Sequence, residues 1–175
     1  MKRLMIMLAI MITPLVFAKN IEEETVTIPN NSIRIRVIAS SNSIDAQHEK
    51  AKVKANIQSY LEKILKNSKT KEESENIIKK NMINIENNVK STLEEINSST
   101  TYNIRYGNNY FPKKEYKGIT YESGFYDSLV ITLGKGEGNN WWCVLFPPLC
   151  LMETEEDISN TEYKLFITEV LEKYN

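Results

Sequence analysis

From residue 33 the chain alternates, with Ile33, Ile35 and Val37 set against Arg34, Arg36 and Ile38. A period of two built from β-branched residues predicts a strand. Its core face carries Ile33, Ile35 and Val37, and Arg34 and Arg36 share the other face with Ile38. Ala39-Ser40-Ser41-Asn42-Ser43 breaks the pattern, and the period then changes. Ala46, Val53, Ile57, Tyr60, Leu61, Ile64 and Leu65 recur mostly at spacings of three and four, the stripe of an amphipathic helix. Asn42 or Ser43 supplies its N-cap, and Asp45 falls in the first turn, where a negative charge suits the helix dipole. The stripe fades at Lys66-Asn67-Ser68. Thr70-Lys71-Glu72-Glu73 reads as a capping box that starts a second helix. Ile78, Met82, Ile85, Val89, Leu93 and Ile96 carry that helix without a break to about Asn97. Two helices with a short joint pack antiparallel.

Beyond Asn97 the pattern is mostly that of strands. Tyr102–Tyr106 reads as a strand followed by a Gly-Asn-Asn turn, and Pro112 makes Tyr110–Tyr116 an edge or irregular segment. Phe125–Leu133 alternates Leu129, Ile131 and Leu133 against Val130 and Thr132. Gly134, Gly136 and Gly138 then join it to Trp141–Phe146, which predicts a hairpin. Glu153–Ser159 is acidic and solvated. Thr161–Tyr174 places Tyr163, Phe166, Ile167, Val170 and Leu171 at helical spacing. The expected class is α+β: a single domain with a mixed or antiparallel sheet, an antiparallel helix pair on one face and a C-terminal helix.

Composition supports a folded chain: 26% of residues are charged and 41% hydrophobic, enough for a core. The formal charge of -1 leaves no electrostatic footprint for nucleic acid or an anionic membrane. The N-terminus changes the picture. Lys2 and Arg3 precede an apolar run from Leu4 to Ala18 that ends in Val16-Phe17-Ala18. This is a secretory signal pattern, and at about 15 residues it falls short of the ~20 that span a bilayer, so cleaved export is expected and a retained membrane anchor is the alternative. The expected organisation is therefore a signal peptide at 1–18, a polar linker at 19–32 and a domain at 33–175.

The scarce residues gather in one segment. Three alternate glycines precede Trp141 and Trp142, the only two tryptophans, and Cys143 and Cys150, the only two cysteines. Outside the cytoplasm two such thiols tend to pair. Pro147 and Pro148 turn the chain between them, so the alternatives are a small-loop disulfide and two buried thiols. A structural zinc wants four ligands, which two cysteines and the distant His48 do not supply. No helix follows the glycines, so the dinucleotide fingerprint fails and a turn explains them. Ser43, Asp45 and His48 lie on one helical turn without an oxyanion-hole pattern, so a catalytic triad is forced. Adjacent strand residues point to opposite faces, so one tryptophan fills the core and the other stands outside or under the C-terminal helix.

Two blocks carry a resemblance. Ile33-Arg34-Ile35-Arg36-Val37-Ile38-Ala39-Ser40-Ser41-Asn42-Ser43, followed by Asp45, Gln47 and Lys52-Val53, is one. The glycine loop with Asn140-Trp141-Trp142-Cys143-Val144-Leu145-Phe146-Pro147-Pro148-Leu149-Cys150 is the other. With Tyr121, Gly124, Tyr126 and Leu129 between them, the chain resembles the stage II sporulation protein R family over roughly residues 33 to 152. It departs from the family pattern at Ser41, where Asn is expected, and at Asn42, where a small acidic residue is expected. The resemblance implies a signalling protein without a cofactor, made in the forespore and exported to the space between the two septal membranes. There such a protein activates a membrane-embedded aspartic protease of the mother cell, which processes the precursor of sigma factor E.

The expected contact surface comprises Arg34, Arg36, Asn42 and Asp45 with Trp141, Trp142, Phe146, Pro147 and Pro148, since interface anchors favour Trp and Arg. For Arg34 and Arg36 the plainer reading is a solvated or ion-paired face, and for the tryptophans a structural role. A rival function is an exported hydrolase of the septal wall, for which Cys143 and His48 form the one Cys-His pair. A third is a structural envelope protein with Trp142 touching lipid.

Overall fold

The computed structural model of the chain describes residues 26–150 and 159–174, so the apolar N-terminal run lies outside the described residues. Its elements in chain order are β1 (Val26–Thr27), β2 (Ile33–Ile38), α1 (Ile44–Leu65), α2 (Lys71–Lys80), α3 (Met82–Glu95), β3 (Tyr102–Phe111), β4 (Lys114–Tyr116), β5 (Ile119–Tyr121), β6 (Gly124–Leu133), β7 (Asn140–Phe146) and α4 (Asn160–Tyr174). The class is α+β, with a mixed four-stranded sheet in the order β3-β6-β2-β7 and a small sheet in the order β1-β5-β4.

One face of the larger sheet carries Ile33, Ile35 and Val37 from β2 with Leu129, Ile131 and Leu133 from β6, all fully buried. They meet Val53, Ile57 and Leu61 of α1, Ile78 of α2 and Ile85 and Val89 of α3. Burying each such side chain is worth about 1.5–3 kcal/mol. Ser43 is the N-cap of α1, its Oγ accepting the Ala46 N–H (3.2 Å). Thr70 caps α2 by accepting from Glu73 N (3.1 Å), while Glu73 reaches back to the Lys69 N–H (2.8 Å). The second helix is not continuous. Asn81 interrupts it at φ -101° and ψ 10°. Its side chain explains the break, donating to the Ile77 carbonyl (2.9 Å) and accepting from Tyr60 (3.0 Å) and Asn84 (3.2 Å). The apolar stripe runs through the kink, so periodicity alone did not reveal it.

Three further expectations are corrected. The Gly107-Asn108-Asn109 segment does not turn: β3 continues through it to Phe111, paired to β6 along its whole length. Asn109 holds that stretch straight by donating to Gly107 O and Ser128 Oγ, both at 2.9 Å. Residues 26–28 are more than linker, since Val26 and Thr27 pair with Ile119 and Thr120 and Ile28 is fully buried. The glycine loop does not close a hairpin either, because β2 lies between β6 and β7 and pairs with both. The loop instead crosses the end of β2. Gly138 N donates to Ala39 O (2.9 Å) and Gly134 N to Thr101 O (2.6 Å). Gly136 has φ +69°, and a Cβ on Gly138 would collide with the Ser41 carbonyl, so this crossing requires glycine.

A second, smaller core lies beside β7. It joins Ile28, just after β1, and Ile119 of β5 to Val144, Leu149 and the Tyr163, Ile167, Val170 and Leu171 face of α4.

Candidate functional site

The register places two rows of side chains across the sheet face that the first three helices leave uncovered. Arg105, Val130, Arg36 and Trp142 stand in one row, and Gly107, Ser128, Arg34 and Val144 in the next. Three arginines thus share a face because each occupies an even or odd position out of phase with the aliphatic core. Phe111, fully buried, sits among them at edge-on angles to Trp142 (5.2 Å) and Tyr126 (6.0 Å).

Arg34 does not form a solvated or ion-paired face. It is only 2% exposed. Its guanidinium carbon lies 3.4 Å from the Tyr126 ring centre and 5.5 Å from that of Phe111. Nη1 donates to the Glu122 carbonyl at 3.4 Å, but Nε and Nη2 are buried without a partner. Burial lowers the Arg34 pKa, while the nearby Tyr126 and Tyr121 phenols act in the opposite direction. Arg36 is half-buried, 5.3 Å from the Phe111 ring and 5.7 Å from that of Trp142. Its pKa is lowered by burial and then by the like charge of Arg105. A buried cation is ordinarily matched by an anion or strips itself of charge, and arginine does not deprotonate. The ion pairs of the described residues leave both arginines out: they join Lys71 to Asp127, Lys79 to Glu75, Lys90 to Glu94 and Lys113 to Glu122. What offsets the burial here is stacking on aromatic faces, worth ~2 kcal/mol or more when desolvated.

Beside this cluster, along β7, opens a cavity of about 310 Å³. Arg34, Lys54 and Lys114 contribute its cations, and Tyr116, Tyr121 and Tyr163 its hydroxyls. Tyr121 and Tyr163 lie 3.3 Å apart, hydroxyl to hydroxyl. Burial is the main cause that raises the pKa of each, so both stay protonated and one donates to the other.

The residues expected to form one contact surface fall into separate places. Arg34, Arg36 and Trp142 come together. Trp141 points to the opposite face, packed on the main core with the Lys54 ammonium 5.3 Å from its ring. Phe146 and Pro147 are buried, Phe146 against Tyr174, and Pro148 is half-buried, so the first two form no outer surface. Asn42 and Asp45 are exposed at the β2–α1 junction. Asn42 accepts the Asn139 N–H (2.7 Å), a tie to the glycine loop. Cys143 and Cys150 are joined as a disulfide with their Cα atoms 5.8 Å apart. The one thiol that a Cys143–His48 pair would need is therefore spent. Ser43 Oγ is engaged in capping, and His48 is exposed. Among the described residues no group of three or more His, Cys, Asp or Glu side chains is placed to hold a metal ion, and no helix is long and apolar enough to cross a membrane. Sequence reasoning did not place Phe111, Lys114, Tyr121, Tyr126 or Tyr163 at the site. The density of aromatic residues between 102 and 126 was the available signal for Phe111, Tyr121 and Tyr126, and nothing local marked Lys114 or Tyr163.

The family model described as stage II sporulation protein R matches residues 29–156. The chain belongs to the stage II sporulation protein R family. Stage II sporulation protein R of Bacillus subtilis (strain 168) is 34% identical over 145 residues, which is 83% of this chain and 63% of that relative. The chain thus spans somewhat less than two thirds of the relative's length. No solved structure matches. Membership in the stage II sporulation protein R family gives the chain a role in sporulation. The matched range holds both arginines, Phe111 and the disulfide, whereas β1 and α4, which supply part of the second core, lie outside it.

Proposed function

We propose that the protein is an exported contact signal of sporulation. It docks on the extracytoplasmic face of a membrane-embedded protease, the enzyme that processes the precursor of sigma factor E, and favours its active state. The signal acts from the space between forespore and mother-cell membranes, and makes or breaks no covalent bond itself. A ligand shifts such an equilibrium only through tighter binding to one state, so a specific docking surface is required. The observation that carries this reading is the Arg34–Arg36–Phe111–Trp142 cluster: one buried and one half-buried cation with large aromatic rings, held beside an open cavity. Arginine and tryptophan of this kind dominate binding energy at protein interfaces. The disulfide agrees with an oxidising compartment, as does the secretory pattern of the N-terminus.

The test is co-expression in a non-sporulating host of the exported chain, the protease and the sigma precursor. Cleavage that requires all three supports the reading. Cleavage without this chain, or none with it, removes it. The wall-hydrolase alternative loses its nucleophile to the Cys143–Cys150 disulfide and has no observation in its favour.

A further inference from the structure

The cavity beside β7 has an electrostatic character that the contact-signal reading does not by itself specify. Five consecutive residues, Asn140 to Val144, line it. Strand side chains alternate between faces, so five in a row reach one cavity only if it straddles the strand's edge. β7 is indeed the edge strand of the four-stranded sheet. The Val144 carbonyl faces away from β2 and accepts from Cys150 N (3.3 Å). By the two-residue period the backbone groups of Trp142 and Asn140 face outward as well. An outward strand edge is where an extended peptide adds by main-chain pairing.

The chemistry of the wall is one-sided. Among the described residues, Arg34, Lys54 and Lys114 line the cavity and no Asp or Glu does. The Tyr121–Tyr163 hydroxyl pair adds one donor, the other hydrogen being shared between the two rings. Arg34 is decisive. Its Nη1 is occupied by the Glu122 carbonyl, while Nε and Nη2, the adjacent pair that grips a carboxylate through two parallel bonds, are left without partners. Tyr126 fixes the plane of the guanidinium from one side at 3.4 Å, so the fork is pre-oriented. A carboxylate on that fork would satisfy two orphaned donors and neutralise a buried charge in one step. Lys114, whose ammonium lies 5.8 Å from the Trp142 ring centre, stands at the exposed rim.

We propose that this cavity receives the carboxylate of an Asp or Glu side chain borne on an extended segment of the partner protein, held by Arg34 and Lys114 while its backbone pairs along β7. The proposal rests on the reading that the protein acts by contact, and specifies what it contacts. A free small anion would account for the cations but not for the open strand edge.

The experiment titrates the full exported chain with the blocked pentapeptide acetyl-Thr-Val-Glu-Val-Thr-amide and with the same peptide carrying Gln in place of Glu, followed by NMR. The Glu peptide should shift the Arg34 Nε–H and the Trp142 amide. The Gln peptide should bind ~10-fold or more weakly, the loss expected for a charge-assisted pair. Arg34→Met and Lys114→Glu should each weaken the Glu peptide by a similar factor. Lys114 is exposed, so its variant keeps the fold even if the Arg34 variant does not. Equal binding of the two peptides overturns the proposal, as does unchanged binding by Lys114→Glu together with a folded Arg34→Met. Placing both variants in the co-expression assay separates the two ideas. No cleavage with the unaltered chain defeats the contact-signal reading and leaves the cavity to be judged by the titration. Full cleavage by both variants, with the unaltered chain active, defeats the cavity's role and leaves the reading standing.

Discussion

The two faces of the four-stranded sheet are built from the same strands and obey different rules. Toward the helices, β2 and β6 present Ile33, Ile35, Val37, Leu129, Ile131 and Leu133, a dry aliphatic layer in which every residue is fully buried. On the reverse side the same strands present Arg34, Arg36, Ser128 and Tyr126, closed off by Phe111 and Trp142. The first face is satisfied by its own neighbours. The second carries orphaned Nε atoms on both Arg34 and Arg36 and a half-open cavity. An aliphatic layer lowers the free energy of the fold, whereas a layer of stacked, unpaired cations adds little to it. The difference teaches that burial on the two sides of one strand is not equivalent: one side closes an aliphatic core, the other leaves polar atoms without partners.

Substitutions measure that contrast directly. The largest effect is expected from Leu129→Ala on the helix side, a loss of ~2–5 kcal/mol in urea unfolding, because a cavity opens in a closed layer. A loss under ~1 kcal/mol would break the comparison. Replacing both Cys143 and Cys150 by Ser should cost about 2 kcal/mol, the amount set by a short closed loop in the unfolded chain. Denaturation of the oxidised protein beside the double variant reads it out. Thr70→Ala should cost ~1 kcal/mol by removing the cap of α2.

Arg36→Met, on the arginine-bearing face, should change stability by less than ~1 kcal/mol in either direction, since lost stacking on Phe111 and Trp142 is offset by relief of burial and of the Arg105 charge. A Tm far below that of the parent would show that face to be structural after all. The smallest effect concerns acid. Lys71, 2.7 Å away, holds the Asp127 pKa below its ordinary value. A carboxylate of depressed pKa stabilises the fold above its unfolded value of about 3.9 and ceases to do so as pH falls through the folded value. Asp127→Asn should therefore lower stability slightly at pH 7, by less than ~1 kcal/mol for a pair still partly open to solvent, and the gap to the parent should close in strong acid. Urea midpoints across that range decide it.

Much of the fold was legible where one side chain's neighbours lie close along the chain. The alternation in β2 and the stripes of α1 and α4 report burial directly, and Ser43 and Thr70 act as caps through bonds spanning three residues. What failed depended on distant partners. Gly107-Asn108-Asn109 has turn chemistry, but Ser128 on β6 holds Asn109 in a strand. The glycine loop precedes β7 in sequence, yet nothing local announces that β2 slides between β6 and β7. Arg34 was the hardest to place. Its burial comes from Tyr126 and Phe111, remote positions that no period in β2 encodes. Trp142 was singled out through its scarcity and the block that carries the resemblance, and the structure sets it beside Arg36.

The crossing of the glycine loop over the end of β2 has a consequence for how this sequence is free to vary. Gly138 leans on Ala39 and Ser41, and the Asn139 amide is fastened to Asn42, so stretches separated by almost a hundred positions behave as a single fitted joint. The tie needs the Asn42 side chain but only the main chain of residue 139, and Gly138 admits no side chain because a Cβ would meet the Ser41 main-chain carbonyl. Asn42 and Gly138 are thereby each held to their own residue type, and the strand bearing Trp142 inherits its alignment from that joint.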